Sequence, residues 1–146
     1  MKVKPTPFFA LLSLAALIVC STSGCSGSTD AEKEKTEVVT ARAWLSLIDQ
    51  GNYLESWKES APFFQRAITE TNWEISLSTF RKPLGAVLSR ELKSAQSQMQ
   101  MPGAPDGQYV VMQFETSFAN KKSAVETLTV GPKQDGQWKV SGYYIK

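Results

Sequence analysis

Residues 108–130 read QYVVMQFETSFANKKSAVETLTV, and the alternation in that stretch decides the fold. Successive side chains of a strand point to opposite faces, so Val110, Met112 and Phe114 share one face while Tyr109 and Val111 fall on the other. Beyond a turn marked by Asn120, Ala124, Glu126, Leu128 and Val130 again share one face. That period, with this content of Val, Thr, Tyr and Phe, predicts two strands, at 108–118 and 123–130. Working outward, residues 87–99 and 137–145 repeat the pattern, and Asp106-Gly107 and Asp135-Gly136 are turn dipeptides of the hairpin kind. Four strands joined by such turns run as an antiparallel meander. Gly142, inside the last of them, marks a bulge or a close approach by a helix. Residues 96–101, polar with two methionines, are expected as an irregular strand end or a rim loop.

Before the sheet the period is helical. Val38, Ala41, Leu45 and Ile48, widened by Trp44 and Leu47, predict a core-facing helix over 37–50 that Gly51 stops. Asn52 starts a second, with Tyr53, Trp57 and Ala61 four apart and Glu55 and Glu59 on a solvated face. Pro62 interrupts it, residues 63–70 form a short third helix, and Asn72 caps a fourth that runs from Trp73 through Leu77 and Phe80 to Pro83 and Gly85. Helices followed by a meander predict an α+β domain over residues 37–146, with the N-terminal helices packed on one face of a curved four-stranded antiparallel sheet. About 110 residues suffice for one modest core and not for two.

The first 24 residues form an export signal: Lys2 and Lys4, an apolar run from Phe8 to Val19, then small residues before Cys25. The run is too short to span a bilayer. The segment resembles a bacterial lipoprotein signal, in which Gly followed by the lipidated Cys ends the box, although Thr22 stands where Leu is usual. Cleavage after Ser23 without lipidation is the alternative. Lipidation of Cys25 would give a use to an otherwise stray thiol in an oxidising compartment, and its acyl chains would be a stable membrane anchor. Ser26 after the Cys suggests, by the same resemblance, the periplasmic face of the outer membrane; the alternative is a soluble periplasmic protein. Residues 25–36 are polar and read as a flexible tether reaching about 20 Å.

Charge and composition exclude several functions. Lys2 and Lys4 leave with the signal, so 14 of the 16 basic residues remain against 14 acidic ones and no basic patch emerges for nucleic acid. The chain has no histidine, which removes Ser-His-Asp and Cys-His catalysis and the usual zinc ligands. No phosphate-cradling or dinucleotide motif and no EF-hand spacing occurs. No cofactor and no metal is expected.

The pattern Trp44, Asp49-x-Gly51-x-Tyr53-x-x-Ser56-Trp57, Trp73, Arg81-x-Pro83-Leu84-Gly85, Arg90, Pro105-x-Gly107-x-Tyr109, Glu126-Thr127 and Asp135-Gly136-x-Trp138-x-Val140-x-Gly142-Tyr143 resembles a bacterial family of small exported proteins of unknown function. That resemblance implies almost nothing about activity. More distantly, the architecture is similar to the cone-shaped nuclear transport factor 2-like superfamily or to cystatin-like folds, scaffolds that host enzymes, binders and assembly modules alike.

Strand parity singles out one constellation. Leu88, Arg90 and Leu92 share a face, as do Ala124, Glu126, Leu128 and Val130, so each apolar stripe carries one charge in its middle. Arg90 and Glu126 are expected to meet inside the cone, with Arg81 near them. One reading makes them the polar floor of a ligand pocket walled by Trp57, Trp73, Val110, Met112, Phe114 and Tyr144. The other makes them a buried ion pair that sets the sheet's register and binds nothing. The four tryptophans read as packing. Tyr109, Val111, Tyr143 and Ile145 are expected on the outer sheet face, where a homodimer or an envelope partner would dock. Three functions are open on this reading: a non-enzymatic exported binding or accessory module, a small enzyme using Glu126 and Arg90, or a purely structural envelope protein.

Overall fold

The computed structural model describes residues 35–146. The signal, Cys25 and nearly all of the tether lie outside the described residues. Four helices precede four strands: α1 (Thr36–Asp49), α2 (Tyr53–Lys58), α3 (Pro62–Ala67), α4 (Glu70–Phe80), a 3₁₀ turn at Lys82–Leu84, then β1 (Val87–Gln98), β2 (Tyr109–Phe118), β3 (Lys121–Val130) and β4 (Val140–Ile145). The strands form one antiparallel sheet in the order β1-β2-β3-β4. This is an α+β fold with an open meander.

The buried stripe of α1 is Val38, Ala41, Trp44, Leu45 and Ile48. Leu45 and Ile48 are essentially inaccessible, and burying each stabilises the fold by about 1.5–3 kcal/mol. Gly51 ends the helix with a positive φ of 77°, where its N–H donates to Ile48 and the N–H of Asn52 reaches back to Leu47. Those two bonds make a Schellman cap, which satisfies carbonyls the helix leaves open. The fourth helix begins earlier than Asn72: Thr69 is its cap, with its hydroxyl accepting from the N–H of Asn72 at 3.3 Å. The third helix accordingly stops at Ala67.

The inner sheet face presents Val110, Met112, Phe114, Thr116 and Phe118 from β2 and Ala124, Glu126, Leu128 and Val130 from β3, all buried. Against them pack Trp44, Leu45, Phe64, Trp73 and Leu77 from the helices. The tryptophans are packing residues whose N–H groups are all used where they are buried. Trp44 donates to the carbonyl of Ser56 at 2.7 Å, Trp73 to the Ser56 hydroxyl at 3.0 Å and Trp57 to the carbonyl of Ile68 at 2.9 Å.

Four strand expectations are corrected. Leu88 does not join the stripe of Arg90 and Leu92: β1 shifts register between Val87 and Ser89, so Val87 faces Phe118 and Leu88 is left 67% exposed. In β4 the register shifts between Val140 and Gly142, so Ser141 is an extra residue and every later side chain changes face. Tyr143 therefore points into the core beside Leu128, and Tyr144 points outward, the reverse of strict alternation. Tyr109, expected on the outer face, is 1% exposed, because the chain before β2 folds back and accepts its hydroxyl at the carbonyl of Pro105. The last strand also begins at Val140 rather than 137, the preceding residues forming a turn closed by Gln134 and Gln137.

Candidate functional site

Every strand and the C-terminal end of α1 contribute to one polar cluster. Arg90 on β1 is its centre. Its Nε–H donates to Glu126 Oε2 at 2.6 Å and one Nη2–H to Glu126 Oε1 at 3.2 Å. The far edge of the guanidinium holds Asp49, with Nη1 to Oδ2 at 2.6 Å and Nη2 to Oδ1 at 2.9 Å. The planar fork thus clamps two carboxylates at once, a geometry lysine cannot supply. Asp49 is shared with Arg81, whose Nη2 lies 3.0 Å from Oδ1. Glu126 also accepts from Thr116 Oγ1 at 2.6 Å and from the Tyr143 hydroxyl. Two positive and two negative charges make the cluster neutral.

Burial fixes what these groups can do. Glu126 is wholly inaccessible, and each of its oxygens accepts two hydrogen bonds. No lone pair remains free to take a substrate proton. Burial works against ionised Asp49, but the hydrogen bonds and charges of Arg90 and Arg81 outweigh it and hold the carboxyl below the usual range. Burial likewise disfavours charged Arg90, and Asp49 and Glu126 more than offset it, so its pKa is raised. Tyr143 is pushed up first by burial and then by the negative charge and hydrogen bond of Glu126, which keeps it a protonated donor. The cluster is built to hold its protons where they are.

Of the residues singled out in the sequence, Arg81, Arg90 and Glu126 are joined through Asp49, while Trp57, Trp73 and Tyr144 are not part of the cluster. The expected pocket floor is not open. Val110, Met112 and Phe114 are core, and Trp57 packs at the edge of that core with its N–H on Ile68. The space they would have walled is filled by Trp44, Trp73 and Tyr143, whose rings meet edge-on or tilted at 5.3–6.4 Å. A groove does lie alongside, about 380 Å³ in volume, lined by Trp73, Leu77, Phe80, Leu84 and Ile145, with Arg81, Lys121, Tyr143, Tyr144 and Ser76. Arg81 and Tyr143 thus face both the cluster and the groove; Arg90 and Glu126 do not reach it.

Asp49, Thr116 and Tyr143 are the members that pattern reading missed. Asp49 carried a signal: an acid in the last turn of a helix opposes the helix dipole, so it calls for cationic partners elsewhere. Tyr143 carried one too, since a bulge at Gly142 inverts the parity of the residues after it. Among the described residues no group of His, Cys, Asp or Glu is arranged to hold a metal ion. No helix among them is long and apolar enough to cross a membrane.

A solved structure of a protein from Catenulispora acidiphila is similar at 13% identity, covering 75% of this chain and 88% of that one, with a TM-score of 0.48. No curated protein matches the chain. The family model described as Protein of unknown function (DUF4019) matches residues 40–143, from the first turns of α1 to the tyrosine that closes the cluster, and the chain belongs to that family.

Proposed function

We propose that this chain is an exported envelope protein, anchored by lipid on Cys25 at the periplasmic face of the outer membrane, and that its domain is a non-enzymatic binding or accessory module. The observation that carries the second half is the full occupation of Glu126. An acid–base enzyme built on Glu126 and Arg90 needs a free lone pair facing a substrate, and this carboxylate has neither free lone pair nor access. The groove beside it offers a mostly apolar surface to a ligand, as binding sites do. The first half rests on the order of charge, apolar run, small residues and Cys25 in the first 25 residues.

Two measurements test it in cells. Feeding an alkyne-tagged palmitate should label the wild-type chain and leave Cys25→Ala unlabelled and released from the membrane fraction; an unlabelled, soluble wild type refutes the anchor. Crosslinking the anchored protein should recover a partner whose yield falls when groove residues are changed, unless the ligand is a small molecule, in which case a metabolite panel raises the melting temperature. A chain that neither crosslinks to a partner nor responds to any ligand refutes the binding role.

A further inference from the structure

The groove between α4 and the end of β4 is lined by a cation, Lys121, that no ion pair among the described residues neutralises. No carboxylate lines it, and two cationic side chains do, Arg81 and Lys121. Arg81 is 4% exposed; Nη1 donates to the carbonyl of Gly85 at 2.8 Å and Nη2 to Asp49, yet its Nε–H is buried with no acceptor among the described residues. A buried donor left without a partner is rare in a folded protein and calls for an explanation. Lys121 is exposed and has no ion-pair partner among the described residues. The two cations lie at one end of the groove: Arg81 stacks on the Phe118 ring at 4.4 Å, and Lys121 pairs with Phe118 across the β2–β3 turn. The rest of the wall is mostly apolar, and Phe80, at the rim, is left 72% exposed.

We infer that the groove takes a small amphipathic anion, a carboxylate carried on an apolar body. The body lies against Trp73, Leu77 and Phe80, and the carboxylate sits beside Lys121, which attracts it, near Arg81 on the same lining. This assignment rests on the binding-module reading and names the ligand class for it. A neutral apolar ligand makes no use of the Lys121 charge, and a cationic one is repelled by it.

The test is calorimetric titration of the full chain carrying Cys25→Ser with decanoate, decanol and decyltrimethylammonium, each below its micelle-forming concentration. Decanoate should bind saturably, decanol more weakly and the ammonium compound not at all. Because Lys121 is exposed, reversing its charge in Lys121→Glu should weaken decanoate by only about five- to tenfold and leave decanol unchanged. Added salt should shrink the difference between decanoate and decanol. Phe80→Ala should weaken both. Lys121 and Phe80 are exposed, so both variants keep the wild-type melting temperature, which is checked alongside. Equal affinity for decanoate and decanol, or wild-type decanoate affinity in Lys121→Glu, overturns the anion assignment while leaving a binding module for neutral ligands. No saturable binding by any of the three probes also overturns it, and the crosslinking experiment then decides the binding-module reading separately.

Discussion

Arg90→Ala is the perturbation that most directly tests the cluster as a structural clamp. It removes every charge-assisted bond that joins β1 to β3 and to the end of α1, leaving Glu126 at zero exposure with only the hydroxyls of Thr116 and Tyr143, and Asp49 with Arg81 alone. Removing one partner of a buried pair costs about 3–5 kcal/mol, because an uncompensated charge stays in a low-dielectric interior. For a domain of this size a kilocalorie corresponds to about 4 °C, so thermal melting at neutral pH should fall by about 12–20 °C. Glu126→Gln keeps the shape but faces Arg90 with an amide, and the double variant should lose less than the two single losses combined, since each removes the same interaction. If Arg90→Ala drops the variant below its folding threshold, Arg90→Lys supplies the reading: it keeps the charge, cannot span both carboxylates, and should melt between the two. A melting temperature for Arg90→Ala within about 4 °C of wild type refutes the clamp, as the pair would then contribute no more than a surface salt bridge.

The cluster's proton balance and the packing around it can be tested in the same way. Asp49 holds a pKa below its ordinary 3.8, so below that pH the unfolded chain takes up a proton that the folded chain does not, and stability is lost as pH falls further. Asp49→Asn should flatten that acid arm in melts followed from pH 5 downward, about the range where such linkage acts. Tyr143 is shifted the other way, above 10, so beyond that pH the unfolded state releases a proton the folded state keeps, and stability falls as pH rises. Tyr143→Phe should shrink the alkaline arm while costing about 1–3 kcal/mol in urea melts at neutral pH for the lost bond to Glu126. Ser56→Ala leaves the buried indole N–H of Trp73 without its acceptor and should cost about 1–3 kcal/mol by the same assay; no measurable loss would mean the indole finds another partner. Gly131→Ala should be among the most damaging loop changes, about 2 kcal/mol or more, because Gly131 is buried, φ is 111° and a Cβ there would sit 2.3 Å from the carbonyl oxygen of Gln108.

Much of the fold is readable from local pattern. Ala41, Leu45 and Ile48 mark the buried stripe of α1, and the Gly after it closes a Schellman cap, both of which need only neighbouring residues. The faces of β2 and β3 follow from alternation because those strands pair almost without interruption. The candidate site is half readable. Arg90 and Glu126 stand out as charges on apolar stripes, and they do pair. Asp49 enters from 41 residues before Arg90 in the chain, and nothing near Arg90 announces it beyond its own awkward place at a helix end. Tyr143 and Tyr144 exchange faces because Ser141 is an extra residue in β4, and Tyr109 is buried because the loop before it returns over the strand.

The order of helices and strands, the meander and the charges on the inner face follow from local pattern, since periodicity, turn dipeptides and caps act over a few neighbouring residues. That Glu126 is sealed, that Tyr143 rather than Tyr144 reaches it, and that the open space lies beside the cluster and not over it are set by how distant segments pack. Those outcomes hang on one-residue bulges and on contacts between distant segments. A single inserted residue turns a whole strand end over at a local cost too small to leave a clear mark in composition.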